Sequence, residues 1–265
     1  MNLAGLRHDL PRRRAQDNVI ELFYRIFTTK ERDFVDGGAN QGRHFIPMLR
    51  VAGSGRVVAF EPIPEIADAL AQRAADVSPA VEKWAVRQQA LGAREATASF
   101  TQFLHPEHSC FSGLKSLGQK FTTAPHATIE VEVTTLDSVV KELDLDPQFM
   151  KLDLEGGEYH ALLGATRTLM TRRPVVAFED SGPDAAASYG YSDEQFIDLF
   201  LQLDYSLYYV TGHAVEREDW LLRNSEDRWR PLNVFAIPTE ALNVPKLRAA
   251  IDYAYVLSGL SPLWH

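Results

Sequence analysis

A strand that ends in an acid and runs straight into a glycine turn constrains this chain more than any other stretch: Asp33-Phe34-Val35-Asp36-Gly37-Gly38-Ala39-Asn40-Gln41-Gly42. Its apolar residues read as a buried strand. Gly37, Gly38 and Gly42 let the backbone turn tightly and approach a ligand that a Cβ would exclude. Residues 41–50 then read as a helix, and residues 56–60 as a second strand that ends in Glu61, followed by Pro62. An acid at that tip is placed to accept two hydrogen bonds from the cis hydroxyls of a ribose. Strand, glycine turn, helix, strand and acid together make a nucleoside-binding half.

Gly37-x-Ala39-x-x-Gly42 loosely fits the dinucleotide fingerprint, which alone is a weak match. Asp36 argues against a pyrophosphate, because a carboxylate beside the turn repels phosphates. It suits the amino-acid end of S-adenosylmethionine. A chain of 265 residues with 45% hydrophobic residues can build one α/β domain with insertions, and no run is apolar enough to span a membrane. The net charge of −9, with Arg12 to Arg14 as the only basic run, disfavours a nucleic-acid partner. The lone Cys110 rules out an internal disulfide, and the N-terminus has no signal pattern, so a cytoplasmic protein is expected. Abundant Ala and Arg hint at a bacterial source.

Residues 16–29 carry an apolar stripe at helical spacing, which makes 1–32 an N-terminal helical extension to a single domain over 33–265. Helices are expected over 64–75, 136–143, 159–172 and 193–203, the last with Ser192 as its N-cap. Strands are expected over 81–86, 96–103, 128–134, 149–154, 174–178, 205–210 and 232–237. Between two of these lies an insertion at about 104–127, rich in His, Ser, Gly and Lys. A loop of that length inside a compact domain is usually functional. It holds His105, His108 and Cys110.

The glycine stretch, Val58-Ala59-Phe60-Glu61-Pro62, Thr135-Leu136-Asp137 and Met150-Lys151-Leu152-Asp153-Leu154-Glu155-Gly156-Gly157-Glu158 resemble the FkbM family of S-adenosylmethionine-dependent methyltransferases, in that order and spacing from Asp33 to Asp180. The resemblance implies a Rossmann-like class I methyltransferase fold, a seven-stranded, mostly parallel sheet with helices on both faces and an antiparallel last strand. It also implies O-methylation of a hydroxyl on a sugar or a natural product.

Asp36 and the Gly38 backbone are expected to meet the cofactor's amino-acid end and Glu61 its ribose. Asn40 borders the turn, Gly42 lets the helix start pack against the cofactor, and Gln88, Gln89 or Ala90 borders the adenine, Gln89 first. Asp153 leaves its strand beside the methylsulfonium, in the crevice where open α/β sheets bind ligands. Asp153, Glu155 and His108 are the candidate catalytic bases. Asp153, Glu179 and Asp180 end two neighbouring strands and could share a Mg²⁺ ion, whose hard oxygen ligands they would supply. The acceptor is expected to be a small hydroxylated molecule, a sugar first, with Phe111, Tyr189, Tyr191, Tyr208, Tyr209, Trp220 and Trp229 as stacking candidates. A non-sugar natural product and a non-catalytic nucleoside-binding scaffold are the alternatives, and homo-oligomerisation is left open.

Overall fold

The computed structural model describes residues 15–26, 28–29, 31–105, 112–115, 124–221 and 232–260. The described residues form ten strands. They are β1 (Asp33–Gly37), β2 (Val57–Phe60), β3 (Trp84–Arg87), β4 (Ala90–Leu91), β5 (Ala96–Phe103), β6 (His126–Thr134), β7 (Pro147–Leu152), β8 (Val175–Glu179), β9 (Tyr205–Tyr209) and β10 (Asn233–Pro238). Seven form one sheet in the order β3-β2-β1-β7-β8-β10-β9, and β4, β6 and β5 form a second, three-stranded sheet. Pairing is parallel from β3 through β8, and β10 runs antiparallel to both β8 and β9. This is the expected α/β architecture, with its last strand reversed.

The central strands of the seven-stranded sheet are buried on both faces, so their side chains alternate between two cores. Phe34, Val57, Ala59, Phe149, Val175 and Ala177 point into one, and Val35, Val58, Phe60, Met150, Val176 and Phe178 into the other. The first face is covered by helix α1 (15–26), α2 (Phe45–Val51), α3 (Pro64–Val77) and α10 (Pro245–Leu260). The second is covered by α4 (Leu136–Glu142), α5 (Glu158–Leu163), α6 (Thr166–Thr171), α8 (Asp193–Gln202) and α9 (Arg217–Leu221). A further helix, α7 (Pro183–Tyr189), follows β8. The stripe on α1 docks as its spacing requires. Phe23 stacks on Phe235 with centroids 4.1 Å apart, and Tyr24 meets Phe149 edge-on at 5.2 Å.

Several boundaries differ from the sequence expectation for physical reasons. The helix expected over 41–50 begins only at Phe45, because Asn40 (φ 45°) and Gly42 (φ 80°) spend the intervening residues in a left-handed turn. Residues 81–83 form a 3₁₀ turn and delay β3 to Trp84. The helix expected over 159–172 breaks at Gly164. A Cβ there would lie 2.1 Å from the carbonyl oxygen of Gly92, and Asp137, in the first turn of α4, accepts from the N–H groups of Arg167 and Thr168. Ser192 caps α8 as expected, in a full capping box with Gln195. The insertion extends a real hairpin: β5 and β6 pair over their whole length, and Gly113 bridges back to Thr101. No helix among the described residues is long and apolar enough to cross a membrane.

Candidate active site

The parallel strands β2, β1 and β7 all end at one edge of the sheet, and the glycine turn after β1 sits at its centre. The N–H groups of Gly38 and Ala39 both donate to the carbonyl of Phe60 at 3.0 Å, and Asp153 N–H donates to Gly37 O at 3.0 Å. The turn is thereby clamped between its two neighbours. Gly38 has φ 74°, and a Cβ on it would stand 1.9 Å from the Asp153 carbonyl oxygen, so no other residue fits. Among the non-glycine residues with positive φ, Asn40 and Glu155 line the cavity at this edge. Strained backbone of this kind concentrates where a ligand must be approached.

Two cavities meet here. The first is lined by Gly38, Asn40, Phe60, Glu61, Ile63, Gln89, Ala90, Leu91, Phe100, Ser112, Leu114, Asp153 and Glu155 among others. It is apolar on most sides, with Glu61 as its buried acid. Both Glu61 oxygens accept backbone N–H groups, Oε2 from Asn40 at 3.0 Å and Oε1 from Ile63 at 2.9 Å. Burial nevertheless pushes this carboxyl up to about 7. The second cavity lies on the α1/α2 side and encloses about 310 Å³. Its walls are Asp17, Asp36, Gly38, Ala39, Asn40, Gln41, Arg43, His44, Lys151 and Asp153. Gly38, Asn40 and Asp153 belong to both, so the two form one bent groove.

Strand register explains the second cavity's charge. Asp36 on β1 is the direct neighbour of Lys151 on β7, and alternation turns both toward the α1/α2 face with Phe34 and Phe149. Burial pushes the Asp36 carboxyl up to about 6, against the pull of His44 and Lys151. Its Oδ2 has no hydrogen-bond partner. Burial alone would lower the Lys151 ammonium, which is 1% exposed, but Asp153, Glu179, Asp17 and Asp36 outweigh it and hold the group above its usual value. Its Nζ lies 3.6 Å from Asp153 Oδ2.

The sequence model of the Methyltransferase FkbM domain matches residues 36–207, well over half of the chain. The protein belongs to the FkbM methyltransferase family. Among solved structures it is similar to Methyltransferase FkbM from Methylobacillus flagellatus KT, with 17% identity and a TM-score of 0.48 over 79% of this chain and 44% of that one. It thus spans less than half of that protein. The O-methyltransferase TomG from Streptomyces achromogenes, solved with S-adenosylmethionine, is 12% identical with a TM-score of 0.44, over 85% of this chain and 80% of that chain. An O-methyltransferase from Bacillus cereus, solved with S-adenosylhomocysteine, is 12% identical with a TM-score of 0.43, over 84% and 80%. No curated protein matches the sequence.

An FkbM methyltransferase takes its methyl group from S-adenosylmethionine, and the groove fits that molecule. It offers an unpaired buried carboxylate oxygen at one end, a glycine cradle in the middle, and an acid among apolar walls at the other. Of the residues expected from sequence, Asp36, Gly38, Asn40, Glu61, Gln89, Asp153 and Glu155 line it. Gly42 does not: a Cβ there would meet Leu70 at 2.5 Å and Ile46 at 3.1 Å, so it serves the packing of α2 on α3. His108, Cys110, Phe111 and Trp229 lie outside the described residues, and His105 is exposed.

The metal expected at Asp153, Glu179 and Asp180 has no fitting donor set. Among the described residues no three His, Cys, Asp or Glu side chains are placed to hold an ion. The Lys151 ammonium lies against Asp153 and within electrostatic reach of Glu179, while Asp180 Oδ1 accepts the N–H of Gly182 at 3.0 Å. Two of the expected stacking aromatics are core residues: Tyr189 is 8% exposed and Trp220 1%. Tyr191 packs its ring on Tyr159 at 4.8 Å.

Sequence reasoning missed Lys151, Arg43, His44 and Asp17 as cavity walls. None of them carries a motif signal; only the two-residue spacing of Lys151 and Asp153 along an extended strand puts one of them on the side of a candidate acid. It also missed Phe100, Ser112 and Leu114, which the insertion hairpin brings over the first cavity. Glu158, at the start of α5, is buried. It accepts Leu154 N–H at 2.6 Å, and burial pushes it up to about 8.

Proposed function

We propose that the protein is an S-adenosylmethionine-dependent O-methyltransferase that modifies a hydroxyl of a sugar, an oligosaccharide or a related small molecule. The observation that supports it most is the bent groove itself, polar and charged around Asp36 and apolar around Glu61, joined at Gly38, Asn40 and Asp153. When bound, the cofactor supplies an electrophilic methyl group on a sulfonium.

Asp36 takes the ammonium of the cofactor's amino-acid end, and the Gly38 backbone lies along that end. Glu61 takes the ribose hydroxyls, and Asn40 holds Glu61 in place through its N–H. Gln89, tied to Glu132 at 3.1 Å, borders the adenine with Ile63, Ala90 and Phe100. Methyl transfer from a sulfonium is downhill, so the chain has two tasks: to align the acceptor oxygen for in-line attack and to remove its proton. Asp153 and Glu155, both at the β7 tip and both lining the groove, are the carboxylates placed to receive that proton. Lys151 fixes Asp153 at the tip and balances the charge behind it.

The net charge of −9 supports a neutral acceptor over a polyanion. The family resemblance supports a sugar or natural-product hydroxyl. Titration calorimetry with S-adenosylhomocysteine tests the cofactor half, and binding of NADH in its place would overturn it. Mass spectrometry of glycans from a deletion strain of the source organism tests the acceptor half. There, a methyl missing from a nucleic acid or a protein, with glycans unchanged, would refute the reading.

A further inference from the structure

Three buried polar atoms without a hydrogen-bond partner gather on the α1/α2 side of the groove: Asp36 Oδ2, His44 Nδ1 and Tyr24 Oη. Asp36 and His44 line the same cavity, and the Tyr24 ring stands edge-on to the imidazole with centroids 6.3 Å apart. His44 is 5% exposed, at the N-cap of α2, so its open nitrogen has no bulk water to turn to. Buried polar atoms are rarely left unpaired, and such a cluster beside a cavity marks where a polar ligand or an ordered water belongs.

The amino-acid end of the cofactor carries an ammonium and a carboxylate. Asp36 answers the first. Three cationic or cation-forming side chains face the cavity, and two are engaged. Arg43 donates to Glu21 Oε2 at 3.0 Å and Asn18 Oδ1 at 2.6 Å, with Asp17 at 3.6 Å, and Lys151 is paired with Asp153. His44 keeps one unpartnered nitrogen. Its Nε2 lies 3.4 Å from Asp17 Oδ1, which occupies that nitrogen; when the ring carries both protons, Nδ1–H is the donor left over. A bond from it to a carboxylate is charge-assisted.

We propose that His44 binds the α-carboxylate of the methyl donor, with Asp17 on α1 as the positioning residue that orients the imidazole. This rests on the S-adenosylmethionine reading above and adds to it a residue and a helix. The N-terminal helix is then part of the donor site as well as a cover for the sheet. Asp36, Lys151, Asp153, Arg43, Asp17 and Tyr24 are the charged and titratable groups that face His44 or its cavity.

The test is calorimetry on the full chain with three probes: S-adenosylhomocysteine, decarboxylated S-adenosylmethionine, and 5′-methylthioadenosine, which lacks the whole amino-acid end. His44→Phe keeps the ring packing against Tyr24 and removes the nitrogens. It is expected to weaken S-adenosylhomocysteine about tenfold to a hundredfold and to leave 5′-methylthioadenosine unchanged. Asp17→Asn is expected to show the same selectivity with a smaller loss. Wild type should bind the decarboxylated donor weaker than intact S-adenosylmethionine by the same margin, a measurement that needs no variant to fold. Equal loss of S-adenosylhomocysteine and 5′-methylthioadenosine in His44→Phe would make the role structural and overturn the proposal. Equal binding of intact and decarboxylated donors by wild type would also overturn it. Failure of wild type to bind S-adenosylhomocysteine at all would overturn the donor reading itself, a separate outcome.

Discussion

Asp36→Asn should make the empty protein more stable at pH 8 while it abolishes tight donor binding. In the fold this carboxyl titrates at about 6, raised by burial from 3.8. An acid whose folded value lies above its unfolded one favours the fold fully below about pH 4 and loses that contribution as pH rises through 6. Above that window the ionised, unpaired Asp36 destabilises the fold. A shift of about 2 units at 1.36 kcal/mol each corresponds to about 3 kcal/mol. Asn is isosteric and can still accept the Phe45 N–H that Asp36 accepts. Its amide nitrogen exchanges one unpaired buried atom, Oδ2, for another. The net gain is therefore about 2–3 kcal/mol at pH 8, or roughly 5–10 °C in Tm at about 2–4 °C per kcal/mol. Thermal melts at pH 8 and pH 5, with and without S-adenosylhomocysteine, measure all of this. The gap between variant and wild type should close toward pH 5. The ligand should raise the wild-type Tm and leave the variant's nearly unmoved. A variant less stable than wild type at pH 8, by a margin that persists at pH 5, would refute the claim that burial outweighs the pull of Lys151 and His44 on an ionised Asp36.

Gly38→Ala places a methyl against backbone that cannot retreat, at a residue with φ 74°, so it should destabilise by about 1–3 kcal/mol and remove S-adenosylhomocysteine binding in calorimetry. A variant that binds normally would mean that the turn is looser than it stands. Lys151→Met leaves Asp36 and Asp153 facing each other without their cation, and loss of a buried partner of this kind costs about 3 kcal/mol or more. Its Tm deficit should be larger at pH 8 than at pH 5, because Asp36 is protonated at the lower value, and an unchanged Tm would contradict the pairing. Methyl transfer should proceed equally in EDTA and in added Mg²⁺, since the described residues provide no three-donor site. Activity lost in EDTA and restored by Mg²⁺ would return the acids of β7 and β8 to a metal.

The residues proposed to hold the donor were legible because they are neighbours in sequence. Asp36, Gly38, Asn40 and Glu61 lie within one strand-turn-helix-strand unit, and each lines the groove from its own backbone position or the next strand tip. Asp153 was legible for the same reason, at the end of a buried apolar run. Boundaries failed where a distant contact decides them. Gly164 interrupts a helical pattern because Gly92 and Asp137 reach it from other elements, and neither is near in sequence. The metal expectation failed in the same way. Counting acids at strand ends gave three carboxylates, but register put a buried ammonium among them. Strand parity placed Lys151 on the Asp153 face, and what parity could not supply is that α1 and α2 seal that face from water.

The outer walls of the first cavity are less legible for a reason that the fold makes concrete. Where the groove is built from backbone, glycine and strand-tip acids leave a sequence signature. Where its walls are side chains carried in from remote segments, their residue types are ordinary. Phe100 and Leu114 read as nothing more than hairpin and loop residues, yet both wall the first cavity. They are held there by contacts across the molecule: Gly113 pairs with Thr101, and the Lys115 N–H donates to the Tyr189 hydroxyl at 3.3 Å. Tyr189 in turn packs on Gly156, where an added Cβ would come within 3.1 Å of its ring. The aromatic residue expected to stack on a sugar therefore works as a strut. It ties the insertion hairpin to the β7 turn that carries Glu155, so the walls of the cavity and its acid are held to each other.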